Sequence, residues 1–218
     1  MTMNLDLREV PFYYINLDRQ PERRERMEEL LSSLDIKNYS RVEATPHSNG
    51  FAGCARTVAD FLKESKGPFV LLEDDIALKN WEPIIDIPDD ADAFYLGISG
   101  WGRMNGHSGP CVQHEDMGNN VVRIRNMLSG HAVLYLTQEW IDMAQKACSF
   151  AGYDIESYYD VQVAEVMRFF NVYAFDDPYF YQTSSDGNQT VTYNKLSEQQ
   201  SIEIFQPIKQ LFLPERVN

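Results

Sequence analysis

The chain has 218 residues, 44% of them hydrophobic, with 12 Phe, 12 Tyr and 3 Trp, which places it among folded globular proteins and away from disorder. A formal net charge of −14 excludes nucleic acid and anionic membrane surfaces as main partners, because both are held by dense Lys and Arg. Three scattered cysteines (Cys54, Cys111, Cys148) show no metal-ligand spacing and leave one unpaired in any disulfide scheme, as expected in a reducing compartment. No run approaches 18 apolar residues and the start lacks a basic segment followed by an apolar one, so the expectation is a cytoplasmic protein without a transmembrane segment. The length suits one domain, 1–218, with a recognisable part over about 10–182 and a variable tail over 183–218.

In chain order, Val10 to Leu17 reads as a strand with its proline near the start, and Pro21 sits where a helix begins. Met27, Leu30, Leu31 and Leu34 fall at helical spacing behind it. A short strand is expected over Tyr39 to Glu43, and a second helix from about Gly53 to Ser65 with Cys54, Val58, Phe61 and Leu62 inward. Phe69 to Asp75 is the most informative stretch: four apolar residues form a buried strand that runs into Glu73, Asp74 and Asp75. Because side chains alternate along a strand, Glu73 and Asp75 share a face and Asp74 points the other way. Carboxylates packed at the C-terminal end of a strand repel one another unless a cation neutralises them, and oxygen-only ligands suit Mg²⁺ or Mn²⁺. A solvated acidic loop is the plainer alternative.

Ala93 to Ile98 reads as a further strand, and the Gly-, Asn- and His-rich stretch after it to Asn120 as a long mobile loop. Val121 to Arg125 alternates, leaving Arg123 and Arg125 on one face, toward phosphate or a solvated edge. Ala132 to Leu136 suits a central buried strand preceded by Ser129-Gly-His, followed by a helix from Gln138 to about Ala147. An acidic, aromatic segment, Tyr153 to Asp160, leads into a last helix with Val163, Val166, Met167 and Phe170 on one face, and Asn171 to Phe175 returns as a strand. The alternation of strands and helices predicts an α/β fold.

Taken in order, Tyr14-Ile-Asn-Leu-Asp-Arg with Pro21-Glu-Arg-Arg, Gly53-Cys54, Leu72-Glu-Asp-Asp and Ser129-Gly-His-Ala-Val-Leu-Tyr-Leu resemble the family 25 glycosyltransferases. That family includes lipopolysaccharide sugar transferases and the collagen galactosyltransferases. The resemblance spans roughly Phe12 to Gln182. It implies a single-domain GT-A fold, a Rossmann-like mixed sheet flanked by helices that binds a nucleotide-diphospho-sugar. It further implies transfer of a hexose from a nucleotide sugar, UDP-linked by expectation, to a glycan or other hydroxyl acceptor with inversion, using Mn²⁺ or Mg²⁺. In that picture Asp75 is the main metal ligand with Glu73 as helper, and Asn16, Arg19, Arg24, Arg56, Asp74 and His131 are the candidate contacts to nucleotide or sugar. Asp160 is the candidate catalytic base, with Asp154 and Glu156 behind it, and Asp177, Gln182 or Asp186 could complete the metal's shell.

Two departures stand out. The family's Gly-Cys-x-x-Ser-His becomes Gly53-Cys-Ala-Arg-Thr-Val, so its histidine is absent while Thr57 keeps a hydroxyl and Arg56 a positive charge. No histidine follows His131 to serve as a late ligand. A catalytically silent sugar-nucleotide or glycan-binding module is therefore one alternative, and a metal-dependent phosphohydrolase or nucleotidyltransferase another. Tyr153, Tyr158, Tyr159 and Trp101 are possible flat faces for a sugar, against the plainer reading of aromatics as core.

Overall fold

The structure is a computed structural model and describes residues 1–183 together with 195 and 196. Strand β1 (Thr2–Asp6) leads through a short 3-10 turn into β2 (Phe12–Asn16), α1 (Pro21–Ser33), β3 (Tyr39–Glu43), α2 (Gly50–Glu64) and β4 (Phe69–Glu73). Short strands follow: β5 (Ile76–Leu78), β6 (Ile84–Pro88), β7 (Ala93–Tyr95), β8 (Gly102–Met104) and β9 (His107–Gly109), then β10 (Gln113–Gly118), β11 (Val121–Asn126) and β12 (Ala132–Tyr135). Helix α3 (Gln138–Ser149) runs into a π-helical turn (Phe150–Asp154), after which come α4 (Tyr159–Met167), β13 (Val172–Phe175) and β14 (Phe180–Gln182).

Among the described residues, eight strands form one mixed sheet in the order β10-β11-β13-β7-β12-β4-β2-β3. β2 pairs in parallel with both β3 and β4, and β12 runs antiparallel between β4 and β7. The fold is thus mixed α/β, a large mixed sheet flanked by helices. Alternation along the strands sorts the core into two layers. Met27 and Leu31 of α1 pack with Phe12, Tyr14, Val70 and Leu72 on one face. Val58 and Leu62 of α2, Trp140 and Ile141 of α3 and Val163 of α4 pack with Ile15, Phe69, Leu71 and Val133 on the other. Burying strands on both sides demands near-continuous apolar runs such as Phe69 to Leu72.

The chain goes from β2 outward to β3 and then returns to β4 on the other side of β2. Successive connections therefore leave in opposite directions, which makes the carboxyl ends of β2 and β4 the switch point of the sheet, the place where open α/β sheets bind ligands. Asn16 closes β2 and Glu73 closes β4, while His131 leads into antiparallel β12 beside them, its carbonyl accepting the Glu73 N–H at 2.9 Å.

Two expectations need correction. The stretch from Ser99 to Asn120 is no simple loop: it carries β8, β9 and β10, with Asn105-Gly106 in the left-handed backbone region that turns one strand back on the next. Polar edge strands have no apolar alternation to show, so this hairpin was hidden in composition. Helix α2 begins at Gly50 rather than near Gly53, because the Asn49 side chain accepts the N–H groups of Phe51 and Ala52 at 3.1 and 3.4 Å. No helix among the described residues is long and apolar enough to cross a membrane.

Candidate functional site

The alternation expected after β4 is present. Asp74 is 8% exposed and faces away from its two neighbours, accepting from Asn16 Nδ2 and from an Arg23 Nη, each at 2.7 Å. Its carbonyl takes Arg26 at 3.1 Å. Asn16 is saturated in turn: its second amide hydrogen goes to Gln20 O at 3.1 Å and its oxygen accepts from Arg41 at 3.1 Å. Asn16 and Asp74, two of the expected nucleotide contacts, thus spend their side chains tying β2, α1 and β4 together.

Glu73 and Asp75 point to the opposite side, into a cavity of about 320 Å³. Phe51 and Cys54 of α2, Ser129 and Gly130 before β12, Tyr158 to Asp160 around the start of α4, and Gln182 of β14 share the lining. The Tyr159 hydroxyl donates to Glu73 at 2.7 Å, and the Gln182 amide reaches Glu73 at 3.1 Å and Asp75 at 3.3 Å. Gly130 makes the first of these contacts possible, since a Cβ there would lie 1.8 Å from the Tyr159 hydroxyl. This gives a physical reason for glycine in Ser129-Gly-His.

Among the described residues that line the cavity there is no Lys, Arg or His. Glu73 keeps some solvent contact through the cavity but is otherwise densely enclosed; burial first, then the negative charge of Asp75, pushes its pKa well above the carboxylate range. Asp75 is raised mainly by burial, against the pull of Arg23. Asp160 is raised by burial too, although its carboxylate accepts the Val161 N–H at 2.8 Å. Tyr158 occupies the N-cap position of α4 without a side-chain capping bond, so Asp160 sits inside the first turn and lines the cavity. Three enclosed acids on one cavity, each with its pKa raised by burial, make ionisation there unfavourable, a cost that a bound cation would ease.

Comparisons with known proteins add little to this geometry. No protein-family model matches the chain. No curated protein matches it significantly. Solved structures that resemble it include a nucleoside-diphosphate-sugar pyrophosphorylase from Vibrio cholerae, 14% identical, covering 78% of this chain and 73% of that one with a TM-score of 0.47. At that distance the likeness transfers neither family nor activity.

The remaining sequence candidates lie elsewhere. His131 is buried, its Nδ1 3.1 Å from Ser129 Oγ; burial, against a backbone contact at Phe180, pulls its pKa down to about 4, so the ring is neutral at pH 7. It stands behind the cavity wall and does not line it. Arg56 donates to Gly152 O and to Glu156 at 2.8 and 2.7 Å, and Arg24 pairs with Glu28 on the exposed side of α1. Arg19 and Asp154 are exposed and do not line the cavity. Thr57 Oγ1 accepts the Thr45 N–H and donates to Gly53 O, both at 2.8 Å, which makes it a structural tie for the start of α2. Arg123 meets Asn171 and Arg125 meets Glu115 along the sheet edge. Asp177 pairs with Lys79, and Asp186 lies outside the described residues. Of the two late ligands among the described residues, Gln182 is beside the acids and Asp177 is not. Phe51 and Ser129 were not among the candidates; Phe51 continues the apolar stripe of α2 toward Ala55 and Val58, yet it is 51% exposed and lines the cavity.

Proposed function

We propose that this chain is a GT-A-type glycosyltransferase of the family 25 kind, moving a hexose from a nucleotide sugar, UDP-linked in the first instance, to a hydroxyl acceptor with inversion. The observation that carries the reading is the placement of Glu73, Asp75 and Asp160 on one cavity, with no Lys, Arg or His among its described lining residues, beside the sheet's switch point. A divalent cation fits the donor set. Glu73 and Asp75 offer oxygen only, and no group of three His, Cys, Asp or Glu able to enclose a metal occurs among the described residues. Two carboxylates that leave the rest of the shell to water and phosphate are what Mg²⁺ and Mn²⁺ accept. Glu73 and Asp75 would hold the ion, with Gln182 beside them, and when bound it would neutralise the diphosphate and ease departure of the nucleotide.

The chain's own residues supply the rest. Tyr159 fixes the Glu73 carboxylate through its hydroxyl, and Gln182 bridges the two acids. Asp160, made more basic by its enclosure, takes the proton of the acceptor hydroxyl as that oxygen bonds to the anomeric carbon and the bond to the leaving phosphate oxygen breaks. Titration calorimetry with uridine and guanosine diphosphates, with and without Mn²⁺, tests the reading. Heat of binding is expected with Mn²⁺ and absent in chelator; no nucleotide binding under either condition would sink it. Hydrolysis of the nucleotide sugar's diphosphate to a nucleoside monophosphate and a sugar phosphate would instead mark a phosphohydrolase.

A further inference from the structure

The donor chemistry leaves one feature of the cavity unused. Phe51, in the first turn of α2, and Tyr158, just before α4, lie ring against ring in a tilted pair, centroids 3.8 Å apart and planes inclined by 31°. Both line the cavity, and both are about half exposed, at 51% and 48%. Bare aromatic surface of that size is unfavourable in water and is relieved by a ligand that covers it. The pair is held in place from behind. Glu156 has a positive φ of 47°, its carboxylate meets Arg56 at 2.7 Å and His47 at 3.6 Å, and its carbonyl accepts from Asn49 Nδ2 at 2.6 Å. Asn49 is the N-cap of α2, so this one residue locks the segment carrying Tyr158 to the turn carrying Phe51.

The chemistry around the rings selects the ligand. Deeper in the cavity stand the carboxylates of Glu73, Asp75 and Asp160, the Ser129 hydroxyl and the Gln182 amide, groups that accept hydrogen bonds from hydroxyls. A saturated sugar ring presents C–H bonds on one face and hydroxyls around its edge, so it satisfies an aromatic platform and an acceptor-rich wall together. An anionic ring substituent would be repelled by the same wall.

We propose that Phe51 and Tyr158 form the stacking face of a subsite for a neutral sugar ring, the acceptor's, with an acceptor hydroxyl directed at Asp160. The role of that sugar as acceptor rests on the transferase reading, whereas its binding on the rings does not. Saturation-transfer NMR on the full chain, using methyl glycosides of glucose and galactose together with lactose and maltose at millimolar concentration, tests the binding in metal-free buffer. Saturation is expected on the ring C–H protons of at least one sugar. In Phe51→Ala and Tyr158→Ala the affinity should fall roughly tenfold, equivalent to about 1.4 kcal/mol. Tyr158→Phe should retain binding, and its thermal midpoint controls for folding. No saturation on any of these sugars, or equal saturation in wild type and both alanine variants, would overturn the proposal. Calorimetry of Mn²⁺-dependent uridine diphosphate binding on the same variants separates the two readings. Loss of nucleotide binding in Tyr158→Ala would show that the rings stack a nucleobase and would overturn the acceptor assignment. Sugar binding without any nucleotide binding in wild type would leave the platform standing and remove the transferase.

Discussion

At the scale of single residues, Asp75 and Asp160 occupy one cavity with different tasks, and isosteric variants separate them. Asp75→Asn is expected to abolish Mn²⁺-dependent nucleotide binding in calorimetry. Asp160→Asn should leave that binding in place and slow sugar transfer by roughly 10²- to 10⁴-fold, the usual contribution of a positioned base; loss of nucleotide binding in Asp160→Asn would reject its assignment. Glu73 makes a further prediction about stability. Its folded pKa is raised, so its contribution is fully present below the ordinary carboxylate pKa and is lost as pH rises toward the folded value. Glu73→Gln should therefore raise the thermal midpoint of chelator-treated protein at pH 8 and change it little at pH 4.5; an unchanged midpoint at pH 8 would mean that the charge is already compensated. The sequence named all three acids. It could not rank His131, because whether an imidazole faces a cavity or a wall depends on the strands either side of it.

At the scale of elements, the junction of β2, α1 and β4 is a polar clamp. Arg23 and Asp74 pair at 2.7 Å with side chains 17% and 10% exposed, and Asn16 completes the contact. Removing Arg23 takes the positive charge from a mostly buried carboxylate but leaves it the Asn16 hydrogen bond, so Arg23→Met should cost about 2–3 kcal/mol, less than a fully buried pair. In a chain of this length that lowers the thermal midpoint by about 4–12 °C. A smaller loss would mean that water solvates Asp74 freely. The strand period made the outward turn of Asp74 legible, since it needs only local geometry. The arginine that meets it was not, because helical spacing leaves Arg23, Arg24 and Arg26 equally eligible until the helix is docked. Arg24 went to Glu28 on the solvent side and Arg23 to Asp74 beneath. The Asn105-Gly106 hairpin was missed for a related reason: its strands are polar, and pairing with a neighbour rather than burial defines them.

At the scale of the whole molecule, a cation that binds the folded state alone should act as a stabiliser. At one hundred times its dissociation constant the gain is about 2.7 kcal/mol, or a rise of about 5–10 °C in midpoint. Differential scanning fluorimetry with Mn²⁺ should show this in wild type and not in a Glu73→Gln, Asp75→Asn double variant; equal shifts in both would place the ion elsewhere on this acidic surface. The apolar run Phe69 to Leu72, the helical stripes and the alternation of Glu73, Asp74 and Asp75 were fixed by the chain alone, because each follows from the repeat of the backbone over a few residues. Only the tertiary structure could bring Phe51, Asp75, the Tyr158–Asp160 turn and Gln182 around one cavity, since these four segments are separate in the chain and their meeting depends on strand order and on where two helices begin. Local periodicity says which way a side chain points; only packing says what it points at.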